Sequence, residues 1–252
     1  MNRFAQNYPQ LMNQAMDAGY SKQQLSELGQ AFRFALDFSD GVYRAQGVPL
    51  INHVTSTASI VMAEKQTPEL VMIALLHAAY VIHLFDDSTR SHNLVSRRQE
   101  IRTRFGHTVE DLLYRYGTME WYEIGKVRKY LDAIDRLEPE TRALLTIRLA
   151  NELDDHLDDA MDFAAEKRGA RTRPEFLALC RDLARALQLD TIADELDRLA
   201  TRNTRTFDAL RWPHGQGFEL RTRPWKMPLT EKIWRKLSYL VRKTGRKVRG
   251  TG

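Results

Sequence analysis

Two histidines are the first residues in this sequence whose type and placement suggest chemistry. His53 follows a turn containing Gly47 and Pro49 and starts a predicted helix, whereas His77 lies inside the most apolar stretch of the chain. A buried imidazole needs a hydrogen-bond partner, a charge partner or a metal. Two interpretations follow from the residues alone: a ligand-binding pair, or two core histidines whose hydrogen bonds are satisfied.

A polar helix face is the second candidate. Asn151, Asp154, Asp155 and Asp158 follow the spacing i, i+3, i+4 and i+7, so four oxygen-bearing side chains share one face. Oxygen groups that converge in this way suit a cation. The alternative is a solvated acidic face, which the polar character of the neighbouring positions favours: Glu152, His156 and Asp159.

Helices are the predicted elements that position these residues. Ser21 is the predicted N-cap of a helix whose apolar stripe contains Leu25, Leu28, Phe32 and Leu36. Thr67, Pro68 and Glu69 form an N-cap, a first-turn proline and a first-turn acid, and the helix that they begin is predicted to run through Leu84. A long helix that follows Pro139 and ends at Gly169 should carry the polar face.

The remaining stretches also have helical spacing, and no segment shows the sustained alternation of a strand. The fold class predicted is therefore all-α, with one helical domain over residues 1–200, a linker over 201–228 and a basic amphipathic tail over 229–252. A polar loop is predicted for 86–98. The other predicted helices cover Ser96–Phe105 and Thr108–Tyr116, or begin at Pro174 and Thr191.

Composition excludes several classes of protein. With 252 residues, 43% apolar and 28% charged, the chain is not collagenous, low-complexity or multi-span. The single cysteine, Cys180, excludes an intrachain disulfide framework and is expected to be a buried, inert thiol. The N-terminus lacks a signal-peptide core, and the longest apolar run, Leu70–Phe85, is shorter than the roughly 20 residues of a membrane span. A cytoplasmic protein is expected, peripheral at the inner membrane face if the tail binds lipid.

The tail carries the basic charge. Residues 221–252 have a net charge of +10, whereas the remaining 220 residues have −5, so nucleic-acid binding over the whole surface is unfavourable. On a helical wheel, one arc of the tail is apolar and the opposite arc is basic, which suits an anionic membrane surface or an acidic protein partner. The alternative is a helix docked on the body. The residues that define the two arcs include Lys232, Ile233, Trp234, Arg235, Lys236, Leu237, Leu240, Val241, Arg242 and Lys243.

Four short motifs occur in the order seen in one enzyme family. They are R-A-Q-G-V-P-L-I-N-H from Arg44, A-L-L-H-A ending at Ala78, F-G-H-T-V-E-D-L-L from Phe105, and I-R-L-A-N ending at Asn151. Together they resemble the hydrolase domain of RelA/SpoT-type (p)ppGpp enzymes, within the HD superfamily of metal-dependent phosphohydrolases. The resemblance implies an HD-type helical bundle with one divalent metal, usually manganese, held by His, His-Asp and a distant Asp.

This sequence departs from that family at the positions that would bind the metal and activate the water. The implied metal ligands map to His53, His77, Ala78 and Asn151, so both metal-binding carboxylates are absent. The family's water-activating Glu-Asp pair maps to the aliphatic Val81 and Ile82, and the residues after the last ligand become Asp154-Asp155-His156. A hard dication prefers carboxylate oxygen over neutral donors, and aliphatic side chains can neither accept a proton nor hold a water.

The sequence therefore predicts a non-catalytic binding or scaffold module with no cofactor. Its predicted ligand pocket is bounded by Arg44, His53, His77 and Asn151. Arg44 would bind the phosphate of a small molecule, because a guanidinium binds phosphate through two parallel hydrogen bonds. The alternative is an HD-type phosphohydrolase with Mn²⁺ or another divalent metal in a rearranged site of His53, His77, Asp154 and Asp155.

Overall fold

The computed structural model describes residues 3–44, 47–80, 90–157 and 174–201, without the side chains of 90–95. Over these residues the chain is all-α, as predicted, and the one extended pairing among them is an isolated antiparallel bridge between Tyr43 and Pro49. None of the described helices is both long and apolar enough to span a bilayer. The helices are α1 Tyr8–Asp17, α2 Lys22–Ser39, α3 Leu50–Ala63, α4 Pro68–Leu76, α5 Arg90–Phe105, α6 His107–Thr118, α7 Ile124–Asp132, α8 Pro139–His156, α9 Pro174–Ala186 and α10 Asp190–Thr201.

The predicted helix starts at α2 and α4 are confirmed. The Ser21 hydroxyl accepts a hydrogen bond from the Gln24 amide at 3.2 Å, and the Gln24 side chain accepts one from the Ser21 amide at 2.8 Å. The Thr67 hydroxyl accepts from the Leu70 amide at 3.3 Å. Each contact satisfies an amide that the first helical turn leaves without a partner.

The predicted apolar stripe of α2 is wrong at one end. Leu28 and Phe32 are buried, but Leu36 is 44% exposed. At about 100° per residue, Leu36 lies about 80° around the helix from Leu28, at the edge of the buried face. The buried face continues through Ala35 and Phe38 instead.

Two helices end earlier than predicted, and a histidine marks both ends. Helix α4 ends at Leu76, where His77 Nδ1 donates to the Ala74 carbonyl at 2.7 Å. Helix α8 ends at His156, whose Nδ1 donates to the Glu152 carbonyl at 2.8 Å. In each case the imidazole donates a hydrogen bond to a carbonyl oxygen of the last turn and so competes with the backbone amides for that oxygen. The predictions that these helices continue are therefore wrong at residues 77–80 and at Leu157, whereas residues 81–84 and 158–169 lie outside the described part of the chain.

The predicted polar loop over 86–98 is also wrong from Arg90, where α5 begins. Buried Glu110 of α6 links this helix to the rest of the body. It accepts hydrogen bonds from Arg98 Nε at 2.5 Å, Arg102 Nε at 2.6 Å and Tyr80 Oη at 2.9 Å. Burial alone would raise the pKa of Glu110, but these three donors outweigh burial and lower it.

Helix α3 lies at the centre of the body and packs against both α4 and α8. Most of its side chains from His53 to Met62 are fully buried. Glu64, just after α3, also accepts a hydrogen bond from the Ile192 amide at 2.5 Å and so caps α10. Cys180 of α9 is buried, as predicted. This packing brings the start of α3, the end of α4 and the last turns of α8 together.

Candidate functional site

The histidine pair and part of the polar face meet at one place inside the body. His53 lies in the first turn of α3, His77 caps α4, and Asn151 and Asp155 lie on α8. All four are buried, and Asp154 is partly buried. The interpretation of Asn151 and Asp155 as a solvated face is therefore wrong, because α8 turns this face toward α3.

The Nε2 edge of the His53 ring faces neutral groups. His53 Nε2 lies 3.1 Å from Asn151 Oδ1 and 3.2 Å from His77 Nε2. His77 donates from Nδ1 to a carbonyl, so the neutral ring carries its lone pair on Nε2. Burial, together with the electrostatic effects of the neighbouring His53, Arg44 and Arg148 side chains, holds the pKa of His77 well below its ordinary value.

The Nδ1 edge of the same ring faces charged groups. His53 Nδ1 lies 2.5 Å from Asp154 Oδ2 and is also contacted by Nη1 of Arg44. Nη2 of Arg44 lies 2.5 Å from Asp155 Oδ1. The guanidinium therefore bridges His53 and Asp155. The His53 ring lies between two clusters, one with an imidazole and an amide, the other with carboxylates and a cation. A hydrogen bond from Asn151 Nδ2 to Asp155 Oδ2 at 3.5 Å links them.

Arg44 and Asp154 make opposite demands on His53 Nδ1. The guanidinium can only donate, so its contact needs a lone pair on this nitrogen. A carboxylate can only accept, so the contact with Asp154 needs a proton on the same nitrogen. Since one nitrogen cannot meet both demands at once, the cation and the carboxylate compete for it.

A second buried polar layer lies behind His77. The Arg148 guanidinium lies 3.8 Å over the Tyr116 ring and donates to the Tyr116 carbonyl at 2.5 Å. The edge of this ring packs 5.3 Å from His77, measured between centroids. Trp121 Nε1 donates to the buried Glu152 at 2.9 Å. Sequence reasoning missed Tyr116, Trp121 and Glu152 as parts of the site, although an arginine inside the apolar run A-L-L-T-I-R-L-A was a usable signal.

The charges of these described groups leave a small negative excess. The described groups include two buried arginines, Arg44 and Arg148, and three carboxylates, the buried Glu152 and Asp155 and the partly buried Asp154. Without counting the imidazoles, these groups have one negative charge in excess. In a region of low dielectric such an excess favours an added proton or cation, so an anion would bind here only by displacing one of these carboxylates from its arginine.

The four residues of the predicted rearranged metal site do not converge on one nitrogen of His53. His77 lies at Nε2, whereas Asp154 lies at Nδ1. Ligand atoms of His53, Asp154 and Asp155 lie within 4.8 Å of one another, a spacing open to a metal ion. On the Nε2 side the neighbouring groups are a neutral imidazole and an amide oxygen, so this side fits a hard dication poorly.

Several predicted residues lie outside the described part of the chain, so their predictions stand as made. These are Val81, Ile82, Asp158, the tail over 229–252 and the linker over 201–228 except Thr201, which is the last residue of α10.

Residues 39–121 match the model of a protein family described as a domain of unknown function, DUF6817. The matched third of the chain contains Arg44, His53, His77 and Ala78, but ends before α8. No curated protein matches the chain.

Proposed function

We propose that this chain is a non-catalytic binding module with an HD-like helical body that has lost the hydrolytic site. The observation that supports this most directly is the Nε2 edge of His53, where two imidazoles and an amide oxygen meet. These groups provide no negative charge where the family resemblance implies a metal and its carboxylates.

The arrangement of the nearby carboxylates supports the same proposal. Hydrolysis of a phosphoester needs an activated water and a base with a free lone pair to accept its proton. Asp155 pairs with Arg44, and Asp154 is engaged with His53 Nδ1. A base that is already engaged as an ion-pair partner is a poor proton acceptor.

The proposed ligand is a phosphorylated small molecule that Arg44 binds through its guanidinium fork. Because this fork already contacts Asp155, a phosphate must replace that carboxylate as its partner. Asp155→Asn should therefore increase the affinity for inorganic pyrophosphate. Asp111→Asn, which changes a carboxylate on α6, is the charge-matched control.

The tail is proposed to bring this module to an anionic membrane surface or to an acidic protein partner. The support is the separation of charge along the chain, +10 in residues 221–252 against −5 elsewhere. Juxtamembrane basic residues contribute about 1 kcal/mol each at low salt, so the six on the basic arc suffice for measurable binding to anionic vesicles. They are Lys232, Arg235, Lys236, Arg242, Lys243 and Arg246.

The test is a hydrolysis assay of purified full-length protein with Mn²⁺, using (p)ppGpp and a generic phosphomonoester. The expected result is no metal-dependent turnover above that of His53→Ala and His77→Ala variants. Metal-stimulated turnover that both substitutions remove would overturn the proposal.

A second candidate is a metal-dependent phosphohydrolase with an altered metal site. It is favoured by the mutual approach of ligand atoms from His53, Asp154 and Asp155. Elemental analysis of the purified protein separates the two candidates, since this one requires near-stoichiometric Mn, Fe or Zn and the binding module does not.

A further inference from the structure

We propose that the Nδ1 edge of His53, together with Asp154 and Asp155, forms a divalent-cation site that the guanidinium of Arg44 fills from within the chain. Arg44 thus acts as an internal cation that keeps metal ions out. This site is separate from the Nε2 edge, and the inference does not depend on an HD-like fold.

The first support is the position of the guanidinium. Its two terminal nitrogens reach His53 Nδ1 and Asp155 Oδ1, two of the three groups whose ligand atoms lie within 4.8 Å of one another. A positive charge therefore already lies among an imidazole and two carboxylates. Such a mixed nitrogen and oxygen set also suits Mn²⁺ or Zn²⁺.

The second support is the competition for His53 Nδ1. Arg44 needs the lone pair of this nitrogen, and Asp154 needs a proton on it. A metal ion would remove the conflict, because it binds the lone pair and the carboxylate oxygen at the same time. The guanidinium is an imperfect substitute for an ion at this position.

The third support is charge. Without Arg44, the described groups around His53 would have one buried cation, Arg148, against the carboxylates of Glu152, Asp154 and Asp155. Buried carboxylates without a counter-charge are costly, so the vacated position should attract a dication. A site with this excess of negative charge should gain metal affinity when the internal cation is removed.

The experiment compares Mn²⁺ binding by wild type, Arg44→Gln and Arg44→Lys, measured from the electron paramagnetic resonance signal of free Mn²⁺. Glutamine removes the charge and retains much of the volume, whereas lysine retains the charge. We expect Arg44→Gln to bind one Mn²⁺ at least tenfold more tightly than wild type does, and Arg44→Lys to resemble wild type. Equal affinity of Arg44→Gln and wild type would overturn the proposal.

Double variants identify the edge of His53 that binds the ion. Adding Asp154→Asn or Asp155→Asn to Arg44→Gln should abolish the gained affinity, whereas adding His77→Ala should leave most of it. If His77→Ala abolishes the gain and the two asparagine variants do not, the ion binds at the Nε2 edge and the proposal is wrong.

A thermal measurement covers the case in which removal of Arg44 impairs folding. Millimolar Mn²⁺ or methylguanidinium should each raise the Tm of Arg44→Ala by several degrees and leave the wild-type Tm almost unchanged. Either cation can fill the vacated position in this variant. If Mn²⁺ changes both melting temperatures equally, Arg44 does not occupy a cation site.

Discussion

Acidification from pH 7 to pH 5 should destabilise this protein through His77. Burial and the positive charges nearby hold the pKa of the folded His77 well below 6.5, the ordinary value that the unfolded chain retains. At low pH the unfolded state therefore binds a proton on His77 that the folded state does not bind. The contribution of His77 to stability is complete above pH 6.5 and is lost as the pH falls below that value.

The expected size follows from linkage for one proton. The free energy of unfolding should fall by up to about 1.4 kcal/mol per pH unit once the unfolded His77 is protonated. Between pH 6.5 and pH 5 this amounts to about 2 kcal/mol, provided that the folded imidazole stays neutral. For a domain of this size, such a loss lowers Tm by several degrees.

The matched variant is His77→Asn, because its side-chain amide can replace Nδ1 as the donor to the Ala74 carbonyl. Urea unfolding of both proteins between pH 7 and pH 5 gives the difference in slope, with His107→Asn as an exposed control. Comparing the two proteins also cancels the contribution of Glu64 to the pH dependence. The pKa of Glu64 is raised mainly by burial, so this residue stabilises the fold as the pH falls.

The reasoning about His77 would be refuted by parallel stability curves for wild type and His77→Asn. Parallel curves would mean that the folded imidazole titrates like the unfolded one. A steeper loss of stability in His107→Asn than in wild type would also contradict it, since that ring is exposed.

Three other predictions address the rebuilt site, the tail and the α5 contact. Ala78→Asp with Asn151→Asp should be less stable without metal, and Mn²⁺ should raise its Tm if the HD-like alignment is right; no metal-dependent shift would refute that alignment. Trp234→Ala with Leu237→Ala should weaken sedimentation with anionic vesicles at every salt concentration, and unchanged sedimentation would contradict the membrane proposal. Glu110→Gln should lower the free energy of unfolding by about 2 kcal/mol in urea titrations. This loss is smaller than for a fully buried ion pair, because the arginine partners of Glu110 are part-exposed. A loss below about 0.5 kcal/mol would show that α5 does not depend on this carboxylate.

The helical class and the helix starts could be predicted from the sequence, because their causes are local. Ser21 and Thr67 each cap an amide three residues further along the chain. The buried state of Cys180 also followed from its apolar neighbours. Signals of this kind act within one turn of helix, so they do not depend on the rest of the fold.

The helix ends and the start of α5 could not be predicted in the same way. The apolar pattern continues past Leu76, but the His77 ring takes the carbonyl of Ala74. Helix α5 lacks an apolar stripe over its first turns, and its arginines bind Glu110, which lies on another helix. The periodicity of apolar residues along the chain reveals neither the hydrogen bond of His77 nor the contacts between α5 and Glu110.

The sequence identified most of the residues of the candidate site, and the tertiary structure decided how they are arranged. His53, His77 and Asn151 were named from motifs, but their spacing along the chain does not reveal which edge of a ring faces which group. The packing of α3 against α4 and α8 places His77 and Asn151 at Nε2 of His53, and Arg44 and Asp154 at Nδ1. It also buries Asp155, which sequence alone left on a solvated face. Ring orientation and burial depend on which helices surround a side chain, and only the folded chain specifies that.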